Sequence, residues 1–113
     1  MSVAVEYEPV NEVRLVGRLG ARVEERTLPS GDVWTSFSVT VDREAAMCWG
    51  SVSVDSIACV VRTSRLRRTV ESLDPGQWVE VSGSVHRRFW RSGSGLGSAT
   101  EVHVTSCEVL PAE

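Results

Sequence analysis

For most of its length this chain alternates apolar and polar residues one by one, and only once does the period lengthen to that of a helix. That pattern confines it to strands that each bury one face, interrupted by a single helix. Val13, Leu15 and Leu19 share one face of a first strand, with Arg14, Val16 and Arg18 on the other. Leu28-Pro-Ser-Gly-Asp32 reads as a turn. Val33, Thr35, Phe37, Val39 and Val41 then alternate with Trp34, Ser36, Ser38, Thr40 and Asp42, the first set buried and the second exposed. After an irregular stretch from Arg43 to Ser51, a third strand sets Ile57, Cys59 and Val61 against Ser56, Ala58, Val60 and Arg62.

The change of period follows. Leu66, Val70 and Leu73 fall at i, i+4 and i+7, Thr63 or Ser64 is placed to cap, and Asp74-Pro75-Gly76 stops the run. A fourth strand has Val79, Val81 and Val85 inward, and Gly83 in its middle marks a bulge or a sharp bend. A fifth, from about Thr100 to Leu110, loses its alternation near Cys107. Three strands, one helix and two strands is the order of an OB-fold, an all-β five-stranded Greek-key barrel with its short helix between strands three and four. The expected organisation is an N-terminal arm over residues 1–10, the barrel over 11–110 and a short end at 111–113. In the arm Val3, Val5 and Tyr7 alternate, a pattern able to add to a sheet edge of this chain or of a neighbour.

A chain of 113 residues is one domain with enough core to fold alone. Three cysteines without C-x-x-C spacing favour a reducing cytosol over a disulfide framework, and His86 and His103 lie near no cysteine pair, so no metal or cofactor is expected. No leader pattern or long apolar run is present, which predicts a cytoplasmic, nucleoid-associated protein away from membranes. Nor is there a G-x-S-x-G, a Walker loop or an H-E-x-x-H, so catalysis is not expected.

The net charge is −3, yet seven of the twelve arginines lie between Arg62 and Arg91, beside only Glu71, Asp74 and Glu80. Charge distribution matters more than its sum for a polyanion partner. Within that third of the chain, Gly83-Ser-Val-His-Arg-Arg-Phe-Trp-Arg91 runs into Ser92-Gly-Ser-Gly-Leu-Gly-Ser98, read as a flexible loop. Arginines offer a phosphate a charge and tryptophan offers a base a flat surface, the combination that holds single-stranded nucleic acid.

These residues resemble the bacterial single-stranded DNA-binding protein family. The resemblance is carried by Asn11-x-Val-x-Leu-Val-Gly-Arg-Leu19, Pro29-Ser-Gly31, Phe37-Ser-Val-Thr-Val-Asp-Arg43, Leu73-x-x-Gly76-x-x-Val-x-Val-x-Gly83 and Arg88-x-Trp90. It implies an OB-fold that assembles as a homotetramer, or less expectedly a dimer, and wraps single-stranded DNA in replication, recombination or repair. It also implies a stacking role for Trp90 and basic contacts from His86 and Arg88. Where many members carry stacking aromatics this chain has Ala45, Ser56 and Arg62, and Glu12 stands where a basic residue is usual. Arg62 is placed to stack its guanidinium on a base instead, and Trp49 to supply a lost ring. Members continue into a tail with an acidic tip that recruits replication partners, whereas this sequence stops at Leu110-Pro-Ala-Glu113, so tail-mediated recruitment is expected to be absent.

The candidate binding residues are therefore Trp34, Trp49, Arg62, His86, Arg88, Trp90 and Arg91. Trp34 suits a subunit interface as well as a base, and Trp49 reads first as a half-buried anchor of its loop. Trp78 reads as a lid over the barrel end or the helix. Arg65, Arg67 and Arg68 read as a solvated helix face, Arg87 as paired with an acid or at a bend, His103 as ordinary and Cys59 as core. Sequence-independent single-stranded DNA binding is the expected function, with RNA not excluded. The alternative is an OB-fold interaction subunit or replication accessory that has lost most DNA binding.

Overall fold

The computed structural model describes residues 4–111, so Val3 of the N-terminal alternation lies outside the described residues. The elements run β1 (Val13–Leu19), β2 (Glu24–Thr27), β3 (Val33–Asp42), a 3-10 turn (Ala45–Met47), β4 (Val54–Val61), α1 (Ser64–Glu71), β5 (Trp78–Ser92) and β6 (Gly95–Val109). Neighbours follow the order β1-β5-β6-β4-β3, and β3 returns to β1 through Arg18 opposite Thr40 and Leu19 opposite Val39. The five-stranded ring is thus closed, with one parallel step where β4 meets β6 at Cys59 opposite Val102 and Val60 opposite His103. This is the OB-fold expected from the sequence.

The inward alternation supplies the core. Leu19, Phe37, Val39, Cys59, Val61, Val79, Val81, Val102 and Val104 are buried together, and Val70 reaches them from α1, with Leu66 and Leu73 packed alongside. Burial pushes the Cys59 thiol up to about 12, as suits a core residue and not a reactive one. The hydroxyl of Thr63 accepts from the Leu66 amide at 3.3 Å and starts the helix. Fully buried Thr35 donates to Glu71 Oε1 at 2.9 Å, tying β3 to the last turn of α1. The loop after the helix is stitched to the end of β1 by Leu19 N–H to Gln77 C=O at 2.9 Å and Gly76 N–H to Leu19 C=O at 2.8 Å. Gly76 stands there at φ 84°, open to glycine at little cost.

Four expectations need correction. β2 was not anticipated: Glu-Glu-Arg-Thr is exposed throughout and shows no alternation, and it forms because the Leu28–Asp32 turn folds it back onto β3. The glycine-serine run is not a loop, since Gly95–Ser98 pair with β5 as the start of β6 and only Gly93 and Ser94 form the turn. Val85 shares the face of buried Val102, with which it pairs, but is 38% exposed and outside the core, because β1 ends opposite Gly83 and leaves it at an open edge; farther out β5 and β6 continue as a two-stranded arm. Val60 keeps the outward face expected of it, outside the core cluster, but is fully buried there in the wall of a pocket it shares with Trp34 and His103.

The bulge lies where Gly83 marked it. Ser82 pairs with Ser106 and Gly83 with Val104, which leaves Thr105 as an extra residue on β6. The same irregularity accounts for the slip in alternation near Cys107. The arm contributes to a longest dimension of 60 Å and a radius of gyration of 16.9 Å, well above the roughly 13 Å of a compact chain this long. Residues 4–12 are exposed and form no strand on this chain's own edges. Asn11 alone docks, its side-chain amide donating to Val85 C=O at 2.7 Å and accepting from Val85 N–H at 2.8 Å.

Candidate nucleic-acid interface

Register brings the outward residues of β3, β4, β6 and β5 into one row. Ser36 stands opposite Val60, Val60 opposite His103, and His103 opposite Ser84. Around that row four side chains converge. The Arg62 guanidinium lies over the Trp34 ring at 5.4 Å, Trp34 meets His103 edge-on at 5.3 Å, and His103 lies 4.4 Å from His86. The Ser84 hydroxyl lies 2.7 Å from His86 Nε2 and fixes that ring in turn. Burial, and then the neighbouring His86, lower the pKa of His103; Glu101 opposes them, and Arg62 and Arg88 lower it a little further. An open pocket of about 770 Å³ separates this cluster from α1, with Trp34, Arg62, Leu66, Arg67, His86 and His103 among its walls.

The face continues along the arm. Arg88 lies over the Trp90 ring at 4.8 Å and binds Glu101 Oε1 at 2.8 Å through Nε. Glu101 is 5% exposed, so much of the Arg88 charge is committed to a carboxylate on the neighbouring strand. The acid expected beside Arg87 is therefore beside Arg88; Arg87 instead lies over Phe89 at 5.2 Å. Trp90 stands opposite Gly97, and a Cβ on that glycine would come within 2.7 Å of three indole atoms. Arg91, expected on the same face, is exposed but stands opposite Leu96, so it lies on the other face of the arm, because neighbouring residues of a strand point to opposite sides.

Trp49 is not brought to this face. It lies past the far end of β3, whose ten residues span roughly 30 Å, while Trp34 lies near the start. It is also 69% exposed and not a half-buried anchor. Arg43 lies over its ring at 5.4 Å and is itself forked onto Asp55 at 3.0 and 2.7 Å. Between the two ends the outward positions Ser38, Thr40, Ser56 and Ala58 are small, so the missing aromatics leave a shallow polar trough. Each of the four tryptophans carries an arginine over its ring; Trp78, 39% exposed, has Arg18 at 5.5 Å. A cation over one face holds the indole in place and puts positive charge beside the flat surface.

This is a surface of rings and guanidinium groups on a closed five-stranded barrel. A sequence profile described as the Single-strand binding protein family matches residues 10–110. The chain belongs to that family. Single-stranded DNA-binding protein 1 of Staphylococcus aureus (strain COL) is 33% identical over 102 residues, which cover 89% of this chain and 61% of the relative. Single-stranded DNA-binding protein 1 of Streptococcus pyogenes serotype M18 (strain MGAS8232) is 30% identical over 106 residues, covering 89% and 78%. The chain thus spans about three-fifths of the length of its Staphylococcus aureus relatives. The solved structure "Plasmodium falciparum SSB complex with ssDNA" matches with a TM-score of 0.74 over 95% of this chain and 100% of that one, and at 21% identity it shares the fold.

In this family member three residues of the face escape the sequence reading. His103 joins Trp34 and His86, and its place outside the inward pair Val102 and Val104 was the available signal. Arg67 reaches the pocket although its neighbours Arg65 and Arg68 are exposed. Gly97 is the floor beneath the Trp90 indole and not a link in a flexible run. Gly97→Ala is therefore expected to turn that ring away while shifting the melting temperature by only a few degrees, because the clash is with one side chain. Near-ultraviolet circular dichroism of the tryptophans, set beside a thermal melt, checks this.

Proposed function

We propose that this protein binds single-stranded DNA without regard to sequence, as a homo-oligomer, tetramer before dimer. The strand would run along the outward face from Trp34 and Arg62, past His86, to Arg88 and Trp90, and would meet Arg91 only by passing round to the arm's other face. The observation that carries the reading is the continuity of that face: Trp34 on β3, Arg62 just past β4, His103 on β6 and His86 on β5 converge, and Arg88 and Trp90 follow along the arm. Arginines would neutralise phosphates while the indoles stack bases at about 1–3 kcal/mol each. Trp49 would serve only a strand long enough to follow the trough to the other end of β3 and β4. The role is that of a cytoplasmic binding protein in replication, recombination or repair, and not of an enzyme.

Titration with poly(dT), followed by tryptophan fluorescence at low salt and again at about 0.2 M, tests the reading. Saturable quenching that weakens with salt is the expected result; no quenching at low salt would refute it. Trp90→Ala should weaken oligonucleotide binding roughly tenfold, and Arg68→Ala, on the exposed side of α1, should leave it unchanged. Equal losses at both positions would place the groove elsewhere.

A second reading draws on the other face of the arm. Phe89 is 63% exposed and Leu96 at the tip is 76% exposed, surfaces better suited to a protein than to a polyanion. An interaction subunit with little DNA affinity would show weak binding of long oligonucleotides and a stable hetero-complex recovered from cells.

A further inference from the structure

Two nitrogens beside the pocket under α1 stand apart from the rest of the face. Nε of Arg67 and Nε2 of His103 are both buried, and neither has a hydrogen-bond partner among the described residues. Both residues line the same pocket. Buried polar atoms are nearly always paired, so two unpaired ones in one concavity point to a ligand that supplies the missing groups.

The chemistry of the walls narrows what that ligand is. The charges of the walls are mixed: Arg62 and Arg67 line the pocket together with the Asp32 carboxylate, and burial holds the His103 imidazole toward its neutral form, so an uncharged polar ring fits at least as well as a phosphate. The remaining walls include Trp34, Leu66 and Val60, flat or aliphatic surface suited to an uncharged ring. About 770 Å³ falls within the range of small-molecule sites and has room for a nucleotide. We propose that one nucleobase of the bound strand turns out of its stack and inserts into this pocket, its face against Trp34 and its edge against Arg67 and His103. The inference rests on the strand-binding reading of the same face. It adds hydrogen-bonded recognition of one base to a path otherwise made of stacking and charge. Arg67 donates to a ring nitrogen or carbonyl oxygen of the base, and His103 Nε2 meets the neighbouring group on the same edge.

Two variants separate the base from the backbone. Arg67→Lys keeps the charge and removes the buried Nε–H; His103→Phe keeps a ring against Trp34 and His86 and removes both nitrogens. Each is titrated with a dye-labelled thymidine oligonucleotide and with an abasic oligonucleotide of equal length, after a thermal melt shows that it folds. The expected result is roughly tenfold weaker binding to the thymidine strand, the order of one lost hydrogen bond in a buried site, and unchanged binding to the abasic strand. Equal losses on both strands would make Arg67 and His103 phosphate contacts and overturn the proposal. No loss on either would remove the pocket from the path. If the unaltered protein bound neither strand, the parent reading would fail first, and base insertion with it.

Discussion

Gly83→Ala is expected to lower the melting temperature by roughly 10 °C or more, equivalent to about 3 kcal/mol, and to take DNA binding with it. A Cβ at this position would lie 2.8 Å from the carbonyl carbon of His103 and 2.9 Å from the Cα of Val104. Both obstacles are backbone, so no side-chain rotation relieves them, and β5 and β6 would have to separate. They would separate where the register shifts around Thr105 and where the arm begins. Every pairing from Ser84 outward, which places His86, Arg88 and Trp90 against β6, depends on that approach. The contrast with Gly97→Ala is the control, since there the obstacle is the Trp90 ring, which can move. A thermal melt of both variants decides the matter. A Gly83→Ala protein melting with the unaltered one would mean that the strands do not run as close as they do here.

The barrel was legible because period-two alternation reports burial directly. Val33 to Asp42 pointed its apolar set inward as the sequence required, and the single shift to i, i+4, i+7 at Leu66, Val70 and Leu73 located the helix. The alternation fails where strands leave the core, for then there is no inside to encode. Val85 still alternates with the valines before it and pairs with buried Val102, yet β1 ends opposite Gly83, so Val85 is left at an open edge and the arm beyond it has no barrel beneath. β2 was illegible for a related reason: an exposed edge strand held by one neighbour needs no apolar face. Gly95 to Ser98 misled through composition, because glycine and serine signal a loop unless a cross-strand ring such as Trp90 needs the space above a glycine.

The site was legible one strand at a time and not between strands. Trp34, Arg62, His86 and Trp90 could each be assigned an outward face, but only the register shows that three of them meet over Val60 while Trp90 lies farther along the arm. His103 has no partner near it in sequence, and its partners lie on β3 and β5. Trp49 erred in the other direction. Nearness to Ala45 in the chain says nothing of the ten-residue strand that separates it from Trp34.

Arg88→Ala is expected to cost about 2–3 kcal/mol of stability before any DNA is added, which a contact made only with DNA would not. The Glu101 side chain is 6% exposed, that of Arg88 25%, and Arg88 Nε at 2.8 Å is the hydrogen-bond partner of the carboxylate among the described residues. Removing the guanidinium leaves a buried charge unpaired on the strand that also carries His103. Adding Glu101→Gln to Arg88→Ala removes that charge and should restore most of the lost stability, a coupling that urea melts of the two singles and the double measure directly. DNA binding should follow a different course. If Arg88 also neutralises a phosphate, affinity stays reduced in the double variant, and the slope of log affinity against log salt falls by roughly one. Recovery of both stability and affinity in the double variant would make Arg88 a structural residue whose only partner is Glu101, and would leave Trp90 and Arg91 to carry the arm's share of the strand.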